Sequence, residues 1–147
     1  MRQIFGGLLT LAISSCQQES APKGPDVVLR SFVNTMRQVH GSKESADSAY
    51  EMMWEPAREN LQERARRASA LSGRKLSPGE MIVPSWFALY LVPESTDVRI
   101  DGEWAEVKIL GTDGASTVAR CKLEEGGWKV ALELPSLSAI RQRDEPD

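Results

Sequence analysis

Between Pro25 and Leu71 the apolar residues recur with a helical period. Val28, Leu29, Phe32, Val33, Met36 and Val39 fall on one face. Pro25 suits the first position of that helix, Asp26 its positive end, and Gly41 a stop, so a helix is predicted over 25–41. A second is predicted over 45–54, with Ala46, Ala49, Tyr50 and Met53 at helical spacing. Pro56 restarts the helix. A third, over 56–71, carries Leu61, Ala65, Ala68 and Leu71 as a narrow apolar stripe, with Glu59, Glu63 and Arg67 spaced to pair at successive turns, and Ser72-Gly73 ends it. Ser77-Pro78-Gly79-Glu80 has capping-box spacing and predicts a short helical turn. The run from Trp86 to Val92 is apolar enough to be inside, as strand or buried turn, and Pro93 closes it.

The period then changes to two. Val98 and Ile100 precede Asp101-Gly102, a hairpin signal, after which Ala105, Val107 and Ile109 alternate with Glu106 and Lys108. Asp113-Gly114 turns the chain, and Thr117, Ala119, Cys121 and Leu123 alternate with Val118, Arg120 and Lys122. Beyond Glu124-Glu125-Gly126-Gly127, the residues Trp128, Val130, Leu132 and Leu134 oppose Lys129, Ala131 and Glu133 until Pro135. Helices followed by sequential hairpins predict one α+β domain over 25–135, its helices packed on a curved antiparallel sheet, with a C-terminal tail over 136–147.

The N-terminus has a different pattern. Arg2 and the amino group precede an uncharged, mostly apolar run from Ile4 to Ile13, too short to span a bilayer and the right length for the core of a signal peptide. It ends in Ile13-Ser14-Ser15-Cys16, which resembles the lipobox of bacterial lipoprotein precursors. The resemblance implies a signal peptide over 1–15, cleavage between Ser15 and Cys16, and a diacylglyceryl group such as palmitate esters on the Cys16 sulfur. Two or more acyl chains anchor durably, because each buried methylene contributes about 0.8 kcal/mol and one chain alone is marginal. Gln17 is not the aspartate that marks inner-membrane retention in enteric bacteria, so outer-membrane placement is favoured. Residues 16–24 then supply the lipidated cysteine and a flexible tether, whose eight residues after the cysteine reach about 26–29 Å when extended.

The element order, closing in Glu125-Gly126-Gly127-Trp128-Lys129-Val130, resembles the nuclear transport factor 2-like superfamily, also called cystatin-like. The resemblance implies a cone, with helices at 25–41 and around Ala49-Tyr50 as its first two. The superfamily's enzymes project acids, tyrosines or histidines into that cone, but none of their motifs can be placed here residue by residue.

Composition and charge narrow the function classes. A net charge of -3 and a pI near 5.3 provide no basic field, so no nucleic-acid partner is expected. One histidine and scattered carboxylates give no zinc or calcium spacing, and neither metal nor cofactor is expected. Asp47 and Tyr50, one turn apart, are the candidate acid-base pair, with Tyr90 a distant third; their alternative roles are a helix-start acid and core aromatics. His40 is read as serving the carbonyls at the end of the first helix, and Cys121 as a buried thiol. Trp54, Trp86, Tyr90, Trp104 and Trp128 either line a cone pocket or fill it. Arg64, Arg66, Arg67, Arg74 and Lys75 interleave with Glu55, Glu59 and Glu63 as a mixed-charge solvated face. The expectation is a lipid-anchored envelope lipoprotein whose non-enzymatic domain binds a small apolar ligand or another envelope protein. The alternatives are a small cone-pocket enzyme doing acid-base chemistry and a structural accessory of an envelope complex.

Overall fold

A computed structural model of the chain describes residues 23–87 and 92–137. Ser15, Cys16 and Tyr90 lie outside the described residues, as does the side chain of Trp86.

Helix α1 spans Pro25–Met36, with Pro25 in its first turn, Asp26 beside its positive end, and Leu29, Phe32, Val33 and Met36 buried. It stops five residues short of Gly41. Gln38 N–H bonds back to Thr35 O, tightening the last turn, and Val39–Gly41 forms a separate 3-10 turn. The reason lies downstream: Ser42 is extended so that its Oγ can accept from Ser45 N–H and cap the next helix, and the chain must reverse before reaching it. His40 therefore sits exposed in the turn and does not end α1.

Helix α2, Lys43–Met52, turns Ala46 and Ala49 into the core, small residues that permit close approach to α1. Met53 then leaves the helix, pairs in parallel with Val130 and is wholly buried. Helix α3, Glu55–Ser72, buries Ala57, Leu61 and Ala65 and ends at Gly73, whose φ of 67° lies in the left-handed region glycine favours. The capping box at Ser77 is half formed: Glu80 accepts from Ser77 N–H, while Ser77 Oγ donates to Asp47, and the turn shrinks to the 3-10 segment Gly79–Met81.

Strands β1 (Pro93–Asp101), β2 (Trp104–Gly111), β3 (Ser116–Glu124) and β4 (Gly127–Ala131) form an open antiparallel sheet in chain order. Pro93 opens β1, where the sequence has it only closing the preceding run. It can do so because β1 is an edge strand, where a missing N–H is tolerated, and because the register slips between Pro93 and Ser95. Asp101 pairs with Trp104, so the two-residue loop is Gly102-Glu103, one position later than Asp101-Gly102. Gly102 takes the positive φ, 57°, that such a loop needs at its first position. Strand β4 ends at Ala131; Leu132 and Leu134 continue against the core without strand pairing.

Ala105, Val107, Ile109, Cys121 and Val130 line the sheet face that meets Leu29, Phe32, Val33, Met53 and Leu61 from the helical segments. The Phe32 and Phe87 rings meet edge to face at 5.9 Å within this core. Among the described residues this is three helices packed against a four-stranded antiparallel sheet, the α+β architecture expected from the change of period.

Candidate functional site

Strand alternation decides which residues the sheet presents outward. Since Ala105, Val107 and Ile109 face the helices, Trp104, Glu106, Lys108 and Leu110 face the other way. The pairing carries Arg99 and Asp101 of β1, and Arg120 and Lys122 of β3, onto the same outer face. Trp104 is thus half-buried outside the core cluster, whereas Trp54 and Trp128 pack against that cluster.

The surroundings of Trp104 are charged and aromatic. The Arg120 guanidinium lies 4.3 Å and the Lys122 ammonium 5.0 Å from the ring centroid, each drawn by the negative face of the indole. The Trp54 ring meets Trp104 edge to face at 5.8 Å, and Trp54 is fixed there by donation from Nε1 to Leu132 O at 2.7 Å. Lys122 also reaches Glu103 at 2.6 Å, which holds the Glu103 carboxyl below its usual range. A depression of about 260 Å³ opens beside the indole, lined by Arg99, Asp101, Trp104, Ala105, Glu106 and Arg120. Across the strands Arg99, Glu106 and Arg120 stand in one row, yet neither arginine forms an ion pair with another described residue. Two guanidinium groups and the carboxylates of Asp101 and Glu106 thus share the depression next to the indole face, which can engage groups of either charge.

The sequence-predicted candidates are distributed differently. Asp47 and Tyr50 share α2, but Asp47 is held by Lys43 at 2.7 Å and by Ser77 at 3.2 Å, while the Tyr50 hydroxyl accepts from Gln62 at 2.6 Å. Tyr50 lines a shallow surface recess with Glu51, Glu55, Arg58, Glu59 and Gln62, which Asp47 does not reach. His40 lines a broader cleft of about 470 Å³ between the start of α2 and the 79–81 turn. Trp128 borders another recess, with Val28 and Met52, so the described tryptophans do not converge on one pocket. Cys121 is fully buried, and burial, with Asp26 nearby, pushes its thiol up to about 12, which keeps it protonated and unreactive at neutral pH. Arg66 and Arg67 both bind Glu63, at 2.6 and 2.7 Å, in keeping with a solvated mixed-charge face on α3. Among the described residues no group of side chains could hold a metal ion, and no helix is long and apolar enough to cross a membrane.

Arg99, Arg120 and Lys122 carry the outer-face cluster, although sequence reading gave them no role. The signal was present in the alternation, which places Trp104 in phase with Glu106 and Lys108 and out of phase with the core. Comparison with protein-family models, with curated proteins and with solved structures gives no match.

Proposed function

We propose that this chain is a bacterial envelope lipoprotein, held through a lipid on Cys16, whose domain binds another envelope protein non-enzymatically through the outer face of its sheet. The observation that carries this reading is Trp104, set outside the core with Arg120 and Lys122 against its ring and Trp54 at its edge. Tryptophan and arginine in one cluster are the residue types that dominate binding energy at protein interfaces. The partner's matching surface offers an apolar group to the indole and charged groups of both signs around it, since Arg120 shares the depression beside Trp104 with Asp101 and Glu106. The address is supported by the sequence alone: Ile13-Ser14-Ser15-Cys16, the short apolar run before it and the tether after it. Gln17, in place of a retention aspartate, favours the outer over the inner membrane. The cone-shaped nuclear transport factor 2-like fold is the finer form of the α+β architecture that we propose, on the order of helices first and meander second.

Formaldehyde cross-linking in intact cells tests the binding reading. The wild-type chain is expected to give one discrete protein adduct that weakens as external salt rises, because the contacts are charged. Trp104→Ala should lose the adduct while leaving the fold intact, since the ring lies outside the core. Asp47→Asn should keep it. An adduct unaffected by Trp104→Ala would contradict the outer-face reading, and a small molecule retained by the gently purified protein in native mass spectrometry would favour ligand carriage instead.

A further inference from the structure

We infer that β1 is a self-association edge, through which two copies of this chain join their sheets antiparallel about a twofold axis at Val98. Among the described residues β1 is paired on one side only, whereas the far side of β4 is met by Met53 and by a bond from Trp54 N–H to Val130 O. The open edge is long, nine residues, and is interrupted only near its start by Pro93 and the adjacent register slip.

Which backbone groups face the opening follows from β2. Gly111 N–H donates to Ala115 O, and Glu103 O accepts from Leu123 N–H, so the odd-numbered residues of β2 direct their backbone groups to β3. Its even-numbered residues therefore direct theirs to β1, where the register sets them opposite Asp97, Arg99 and Asp101. That leaves the N–H and C=O of Thr96, Val98 and Ile100 aimed at the open side.

Charge and strand overlap together then select one register. A twofold strand pairing sets residues of the same sheet face opposite one another, so it must be centred on a residue. Centred on Asp97, it opposes Asp97 to itself; centred on Arg99, it opposes Arg99 to itself and Asp97 to Asp101. Centred on Ile100, it opposes Arg99 to Asp101 but sets Asp97 against Glu103 and overlaps the two strands only over residues 99–101; centred on Thr96, it leaves Arg99 against Pro93. Only centring on Val98 opposes Asp97 to Arg99 of the second copy in both directions. Those pairs fall at the closely spaced positions without backbone bonds, where side chains are nearest. Val98 meets Val98, and Thr96 meets Ile100, at hydrogen-bonded positions. The pairing also covers Ile100, which is 57% exposed in the single chain. Neither Asp97 nor Arg99 forms an ion pair with another described residue, so both are available. The joined sheets present two copies of the Trp104 face side by side, and the pairing itself requires no lipid.

Sedimentation velocity of the full-length chain in detergent tests this inference. A concentration-dependent dimer is expected, with Arg99→Asp weakening it about tenfold or more through two new like-charge pairs and the double variant Asp97→Arg with Arg99→Asp restoring it. Both residues are exposed, and circular dichroism checks that each variant is folded. In membranes, oxidation of Val98→Cys should give a disulfide-linked dimer, because opposed residues at a hydrogen-bonded position lie about 5.5 Å apart, within disulfide reach; Thr112→Cys should give none. A monomer at all concentrations, or a dimer indifferent to Arg99→Asp, overturns the inference.

Discussion

Gly79 and Glu63 show how single residues hold the helical layer in place. A methyl group at Gly79 would lie 2.7 Å from Asp47 Oδ1 and 2.8 Å from the Ala46 carbonyl carbon, closer than atoms tolerate, so the 79–81 turn can rest on α2 only through a bare backbone. Gly79→Ala is therefore expected to cost about 1–3 kcal/mol, read as a lowered thermal midpoint, because two of the close atoms, Ala46 C and Asp47 N, are backbone and cannot swing aside. Glu63 acts through charge. Hydrogen bonds from Arg66 and Arg67 hold its carboxyl at about 2, below the ordinary 4.5, so its contribution is complete above pH 4.5 and lost as pH falls through about 2. Thermal midpoints of wild type and Glu63→Gln should differ modestly at neutral pH and converge in that acid window. A gap that persisted at pH 2 would mean that the pairs do not act through the ionised carboxylate.

At the scale of elements, α3 begins with a cap supplied from the sheet. Trp54 provides no side-chain cap, and Glu124 at the end of β3 accepts from Glu55 N–H at 2.7 Å and from Arg58 at 3.0 Å. Glu124→Ala should destabilise the domain by about 1–2 kcal/mol, measured by denaturant unfolding, since it removes both the cap and the partner of Arg58. An unchanged unfolding midpoint would show that solvent replaces it fully. This cap also explains where sequence reading ran out. The helices at 43–52 and 55–72 were legible because their apolar spacing and Pro56 act locally, and β2 because Ala105, Val107 and Ile109 alternate cleanly. Most of β1 was not legible: an edge strand half open to water carries Glu94, Ser95, Thr96 and Asp97, which have no apolar period. The early end of α1 was equally hidden, since it is set by the cap at Ser42 and not by a breaker at Met36. At the candidate site only Trp104 was visible, as one of several aromatics. Its cationic neighbours come from other strands and needed the register.

Across the whole molecule, the proposed anchor, tether and outer face form one arrangement. With that anchor in place, a tether of this length would keep the domain just above the lipid headgroups, and anchoring would confine copies to a surface, which would raise the local concentration that a β1 edge contact needs. The Trp104 face would then meet the proposed partner in the same envelope, with two faces side by side where β1 pairs. That this domain works from a lipid on Cys16 can be read from the intact mass of the chain isolated from bacterial membranes. A mature chain beginning at Cys16 with the added mass of a diacylglyceryl group is expected, together with loss of both cleavage and membrane retention in Cys16→Ala. A chain with no lipid mass on Cys16, or one retained on membranes just as well after Cys16→Ala, would contradict it.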